Sequence, residues 1–124
     1  MTGSATAARQ RALGDYGERR AAELLQAAGM VVLDRNWRCA IGEIDLVLRD
    51  RHVLVVCEVK TRTSVDHGTP HEAVGDDKLD RLRRLGTAWQ EAHGLTVPDV
   101  RVDLVAVLRP RRGPSVIEHV RGIG

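Results

Sequence analysis

The residues whose types and spacing best suit chemistry are Glu43 and Asp45, in Gly42-Glu43-Ile44-Asp45-Leu46, and Glu58 and Lys60, in Glu58-Val59-Lys60. Oxygen ligands with no histidine or cysteine among them select Mg²⁺ or Mn²⁺ over zinc. Carboxylates holding such an ion, with one ammonium beside them, suit metal-assisted hydrolysis of a phosphodiester. The ion would polarise the phosphate and lower the pKa of a bound water. The lysine would orient that water or offset the developing charge.

Other chemistries are poorly supplied. His67 and His71 could form a pair on a helix, but Pro70 between them spoils it. No G-x-S-x-G elbow, Walker loop or G-x-G-x-x-G fingerprint occurs. Cys57 ends the apolar run Val53-Leu54-Val55-Val56-Cys57 with no evident histidine base, which disfavours a nucleophilic role. Cys39 and Cys57 are too few for a disulfide framework or a four-cysteine zinc site.

The elements that must position the acids read as helix, three strands, helix, and one or two strands. The first helix is predicted over Asp15–Ala28, stopped by Gly29, after a flexible or helical lead-in over 1–12. Strands are predicted over Met30–Leu33, Gly42–Arg49 and His52–Lys60, the last two joined by Asp50-Arg51 as a hairpin. Arg62–Gly75 reads as a loop with one turn near His71-Glu72-Ala73. A second helix over Asp77–His93, a strand over Val100–Leu108 and a further strand over Ser115–Val120 complete residues 13–124 as one domain. The expected class is α/β, one mixed central sheet flanked by helices.

Residues two apart on a strand share a face, so Glu43 and Asp45 oppose Ile44, Leu46 and Leu48, and Glu58 and Lys60 oppose Cys57 and Val59. A two-residue Asp50-Arg51 loop would pair Glu43 with Glu58 and Asp45 with Val56. Any loop of even length keeps all four polar residues on one face. They could instead be the solvated outer face of an edge hairpin. Four consecutive apolar residues, Val53 to Val56, argue for a strand covered on both sides. Like charges crowded beneath such a cover need a cation or proton between them.

Two helical residues join the set. Glu18 falls in the stripe of Ala21, Ala22, Leu25 and Gly29 that should face the sheet, the lesser alternative being a capping box at Asp15-x-x-Glu18. Lys78 shares a stripe with Leu82, Leu85, Trp89 and Ala92, and could also snorkel to water. Of the 19 basic residues only Lys60 and Lys78 are lysine, and both fall on sheet-facing positions. Arginine cannot replace a compact ammonium near a metal or water.

The chain has 124 residues, 43% hydrophobic and 29% charged, which fits one domain with a real core. The apolar run at Val53–Cys57 is too short to cross a membrane, and Met1–Gly14 has no apolar segment of the secretory kind. A cytoplasmic protein with no membrane partner is the expectation. The net charge of +2 does not by itself predict a nucleic-acid partner, and an aromatic content of 2% offers no base-stacking platform.

Asp45 followed by Glu58-Val59-Lys60 resembles the PD-(D/E)xK core of restriction-endonuclease-like nucleases, and Gly14-x-x-x-Glu18 resembles the added acid of Holliday-junction resolvases in that superfamily. More closely, the chain resembles the YraN-like family of small bacterial proteins over about residues 13–108. The matching segments are Gly14-Asp15-Tyr16-Gly17-Glu18, Asn36-Trp37-Arg38, Gly42 to Leu46, Glu58 to Arg62, Gly68-Thr69-Pro70, Lys78 and Arg101-Val102-Asp103.

The resemblance implies a restriction-endonuclease-like αβββαβ core and a Mg²⁺-dependent (or Mn²⁺-dependent) endonuclease acting on DNA, with junction-like structures as candidate substrates. Asp45 and Glu58 would be ligands with the Val59 carbonyl, Lys60 would act on the attacking water, Glu18 would be an auxiliary acid, and Glu43 would reach a second ion. Asp103 is as readily a buried acid supporting Lys60 or Arg62 as a ligand. Arg38, Arg62, Lys78, Arg81 and Arg84 could contact phosphates, and the dimeric resolvases make a homodimer a candidate assembly, which the sequence itself does not show. One alternative is a non-catalytic nucleic-acid-binding protein retaining the fold. Another is an interaction protein in which Glu18, Glu43 and Arg38 form a buried ion-pair network.

Overall fold

A computed structural model describes residues 2–64 and 74–123. Helix α1 (Thr2–Ala27) leads into strands β1 (Val31–Cys39), β2 (Gly42–Asp50) and β3 (Val53–Arg62). Helix α2 (Asp76–Ala92) follows, then β4 (Asp99–Leu108) and β5 (Val116–Val120). The turn expected near His71-Glu72-Ala73, together with His67 and Gly68-Thr69-Pro70, lies outside the described residues.

The five strands form one sheet in the order β1-β2-β3-β4-β5. The β3–β4 pair is parallel and the other three are antiparallel. A parallel pair requires a crossover, and α2 supplies it. The expected αβββαβ core is therefore present, with β5 added at the edge.

Each helix buries its apolar stripe on a different face. Ala21, Ala22 and Leu25 of α1 pack with Leu46, Leu48, Val55, Cys57, Val105 and Val107. Leu79, Leu82, Leu85 and Trp89 of α2 pack with Val47, Leu54, Val56 and Val102. The run Val53–Val56 thus feeds both layers, as four consecutive apolar residues predicted. Ala92, expected on the α2 stripe, is exposed.

Two glycines set how closely the helices approach. A Cβ at Gly17 would overlap the Thr61 hydroxyl, and one at Gly86 would lie 2.9 Å from Val56 Cγ2. Gly29, at φ 97, turns the chain out of α1 in the left-handed region where a side chain is disfavoured.

Three expectations need correction. Helix α1 begins at Thr2, so Asp15 lies in its interior and no capping box forms at Asp15-x-x-Glu18. Strand β1 continues past Leu33 to Cys39 because its polar residues pair with β2 at the edge of the sheet, where one side of the strand meets water. The β2–β3 turn is Arg51-His52, with Arg51 at φ 58 and Asp50 paired with Val53. The loop length remains even, so the face assignment of Glu58 and Lys60 survives, but the partners shift. Continuing the register beyond Leu46↔Cys57 sets Asp45, not Glu43, opposite Glu58.

Strict alternation also fails in β2. Ile44 packs on the α2 side with Trp37, whereas Leu46 and Leu48 pack on the α1 side. The break falls at Asp45, beside a β1 segment in which Asn36 takes φ 50. Asparagine tolerates that left-handed conformation better than most side chains.

Candidate active site

The β2–β3 ladder stops at Leu46↔Cys57, while β3 stays paired with β4 as far as Arg62. In the opening, the Val59 N–H donates to Asp45 Oδ2 at 2.8 Å. Asp45 and Glu58 are hydrogen-bonded to each other through their carboxyl groups. The Lys78 ammonium of α2 forms an ion pair with Glu58 Oε2, and the Lys60 and Lys78 side chains are hydrogen-bonded. Two strands and a helix thus bring together Asp45, Glu58, Lys60 and Lys78.

Electrostatics divides the two acids. Burial, the hydrogen bond to Glu58 and the Glu58 charge together push the Asp45 carboxyl up to about 8. Burial alone would raise Glu58 as well, but the bonds from Asp45 and Lys78 outweigh it and hold Glu58 below its ordinary value. The pair therefore shares one proton, carried mainly by Asp45.

The two lysines divide similarly. The bond from Lys78, followed by burial, lowers the Lys60 pKa. Burial opposes the charge on Lys78, but its bonds to Glu58 and Lys60 prevail and raise its pKa. Lys78 is the fixed cation, and Lys60 is the amine more easily made neutral.

Glu18 reaches this region from α1, where burial raises its pKa against a hydrogen bond from Asn36. The charges of Glu43, Asp15 and Glu58 raise it further. Asn36 was not singled out as a site residue by its sequence. Its signal was its place in Asn36-Trp37-Arg38 and its capacity for a left-handed backbone. Beside Glu18 and Val59 opens a hollow of about 380 Å³, also lined by Gly14, Thr61 and Arg62.

Glu43 lies apart from the Asp45–Glu58 bond and pairs with Arg38 at 3.1 Å. The Arg38 side chain is 79% exposed, so this pair is not a buried network. Arg81 and Arg84 are exposed on α2. Cys57 is fully buried and its thiol is pushed well above the ordinary range, chiefly by burial.

Asp103 supports neither Lys60 nor Arg62. It lies on the α1-side face of the sheet, opposite to Glu58, and is completely buried. Arg101 binds it through Nε at 2.8 Å and a terminal nitrogen at 3.0 Å. His119 Nε2 lies 2.8 Å away and the Gly122 N–H donates at 3.0 Å. Arg101 also reaches Asp50 at 3.1 Å, tying β2, β4 and β5 together. This is a structural network. The sequence did not reveal it because its members become neighbours only through strand register.

Among the described residues, no three carboxylate, imidazole or thiol groups converge to form a complete metal cage. A protein donor set of two carboxylates nevertheless fits Mg²⁺, which commonly takes one or two carboxylates and completes its octahedron with water and substrate oxygens. The shared proton marks a position where the two acids require positive charge.

The family model described as Uncharacterised protein family UPF0102 matches residues 17–107, which span α1 from Gly17 through nearly all of β4. The chain belongs to UPF0102. This is the YraN-like family that the sequence motifs resemble, and the match includes Glu18, Asp45, Glu58, Lys60 and Lys78. A UPF0102 protein of a Nocardioides species is 64% identical over 124 residues, covering 100% of both chains. A UPF0102 protein of Kineococcus radiotolerans is 59% identical over 113 residues, covering 90% of this chain and 93% of its own. A third, from Streptomyces coelicolor, is 56% identical over 114 residues, covering 90% and 88%. Among the described residues of this UPF0102 protein, no helix is long and apolar enough to cross a membrane.

Proposed function

We propose that this UPF0102 protein is a Mg²⁺-dependent or Mn²⁺-dependent endonuclease of the PD-(D/E)xK type, hydrolysing phosphodiester bonds of DNA. The observation that carries the reading is the proton-sharing contact of Asp45 and Glu58 beside Lys60 and Lys78. Asp45, Glu58 and the Val59 carbonyl would hold the ion. When bound, it supplies Lewis acidity toward a phosphate oxygen and lowers the pKa of a water ligand.

The residues of the chain divide the remaining work. Lys60 Nζ, with its lowered pKa, orients the attacking water and accepts its proton more readily than an ordinary lysine. Lys78 keeps its proton and holds Glu58 ionised. Glu18, fixed by Asn36, stands as an auxiliary acid at the edge of the same opening.

Magnesium titrated by calorimetry tests metal binding, with wild type expected to bind and Asp45→Asn to bind weakly or not at all. Cleavage of branched, nicked, duplex and single-stranded DNA with magnesium or with EDTA tests turnover. Metal-dependent cleavage abolished in Lys60→Ala supports an enzyme. Binding of DNA without cleavage of any substrate would favour the non-catalytic nucleic-acid-binding protein.

A further inference from the structure

We infer that the backbone of a nucleic-acid strand lies along a continuous basic groove on the α1 face of the sheet, running from the hollow beside Glu18 and Val59, between the N-terminal half of α1 and the start of the β4–β5 connection. The inference rests on the nuclease reading for the identity of the ligand and on separate residues for its path. The hollow of about 380 Å³ beside Glu18 and Val59 shares Gln10, Leu13 and Thr63 with a second hollow of about 630 Å³. The two therefore form one trough, and the second is flanked by Arg9 from α1 and by Arg109 and Arg111 from the segment after β4.

Charge is graded along this trough. Among the described residues, no acid lines the second hollow, and Glu18 is the acid lining the first, at the end nearest the candidate site. A polyanion is thus attracted at the far end, while the acids at the near end call for a cation. Arg9, Arg109 and Arg111 are all exposed.

The basic end is also held in place. The Arg109 guanidinium lies 4.2 Å from the centre of the Tyr16 ring, and the Tyr16 hydroxyl is hydrogen-bonded to Ser115 Oγ at 2.6 Å. The Arg109 N–H donates to the Arg62 carbonyl at 2.8 Å, anchoring this segment to the end of β3. Among the described residues, no aromatic side chain lines either hollow, so none is offered there for bases to stack on. The ligand is held by its phosphates, without sequence preference. Of the arginines named from the sequence, Arg62 lines the first hollow, whereas Arg81 and Arg84 lie on α2 across the sheet, on the side that carries Lys60 and Lys78.

Fluorescence anisotropy with a labelled 30-nucleotide single-stranded DNA, in EDTA and across a range of salt, tests the groove apart from catalysis. The variants are Arg9→Ala/Arg111→Ala, the triple variant that adds Arg109→Ala, and Arg81→Ala/Arg84→Ala for comparison. Each phosphate contact to a single strand contributes about 0.7 to the slope of log affinity against log salt, so the triple variant should lose roughly 2 from that slope. Its affinity at low salt should fall about tenfold or more, with the double variant intermediate and the α2 variant like wild type. The double variant guards against the triple variant misfolding through loss of the Arg109–Tyr16 contact.

Wild-type binding with unchanged affinity and slope in both groove variants would overturn the groove and leave the nuclease reading standing. Absence of wild-type binding at low salt would overturn both. Groove-dependent binding combined with no metal-dependent cleavage would support the groove and count against the nuclease.

Discussion

Asp45 and Glu58 are bonded carboxyl to carboxyl at the point where β2 and β3 part, and the Val59 N–H completes the bond set of Asp45 at 2.8 Å. Two acids this close cannot both ionise without a neutralising charge. Lys78 supplies that charge to Glu58, leaving the proton with Asp45.

The Asp45 carboxyl therefore links stability to pH. Its pKa rises from 3.8 to about 8 on folding, so between those values the folded state binds the extra proton and stability falls as pH increases. Asparagine at position 45 can accept from Val59 and donate to Glu58 without ionising. In metal-free buffer, Asp45→Asn should melt above wild type, with a margin that grows by on the order of 10 °C between pH 5 and pH 8.5. Scanning calorimetry at the two pH values checks this. An equal difference at both would show that Asp45 does not carry the proton.

Lys78 should compete with a divalent cation for Glu58. In Lys78→Met the local positive charge is gone, so magnesium should bind several-fold more tightly at low ionic strength, an advantage that shrinks with added salt. Isothermal titration at 20 and 300 mM KCl measures both effects. Weaker binding in the variant would mean that Lys78 positions the acids more than it competes.

Gly17 and Gly14 should respond oppositely to alanine. Gly17→Ala drives a Cβ into Thr61 and should cost about 1–3 kcal/mol in urea unfolding. A Cβ at Gly14 meets nothing within 4 Å, so Gly14→Ala should stabilise the helix by up to about 1 kcal/mol. Similar effects at both positions would refute close packing of α1 on β3.

Asp103→Ala should destabilise the fold by about 3 kcal/mol, since it strips Arg101 of its bidentate partner at a buried position and leaves it Asp50 alone. Burial opposes ionisation, but Arg101, Gly122 and His119 hold the Asp103 carboxyl below its ordinary 3.8. Its contribution is present above that value and is lost as pH falls through the lowered folded pKa, so the difference from wild type should shrink as pH drops below 3.8. Magnesium affinity at pH 7 should be unchanged, whereas a metal ligand at this position would abolish it.

The elements themselves were legible in local pattern. Gly29 marked the end of α1, the run Val53–Val56 announced a strand buried on both faces, and Glu18 and Lys78 fell on the apolar stripes of their helices. The even hairpin loop put Glu58 and Lys60 on the α2 side, where Lys78 meets them. The exact turn was not legible, because Asp50-Arg51 and Arg51-His52 are both acceptable two-residue loops. Only the pairing of Asp50 with Val53 selects the register that brings Asp45 to Glu58. The polar end of β1 was hidden for a related reason, since an edge strand need not alternate cleanly.

Residue type and spacing alone thus determined the candidate acids, the two informative lysines and the faces of the helices that carry them, because periodicity is a local property of the chain. Which carboxyl keeps the proton, which lysine keeps its charge, the assignment of Asp103 to Arg101 and His119, and the union of two hollows along α1 were decided by tertiary structure. Each depends on distance and burial between residues remote in sequence, and electrostatic energy is set by those two quantities.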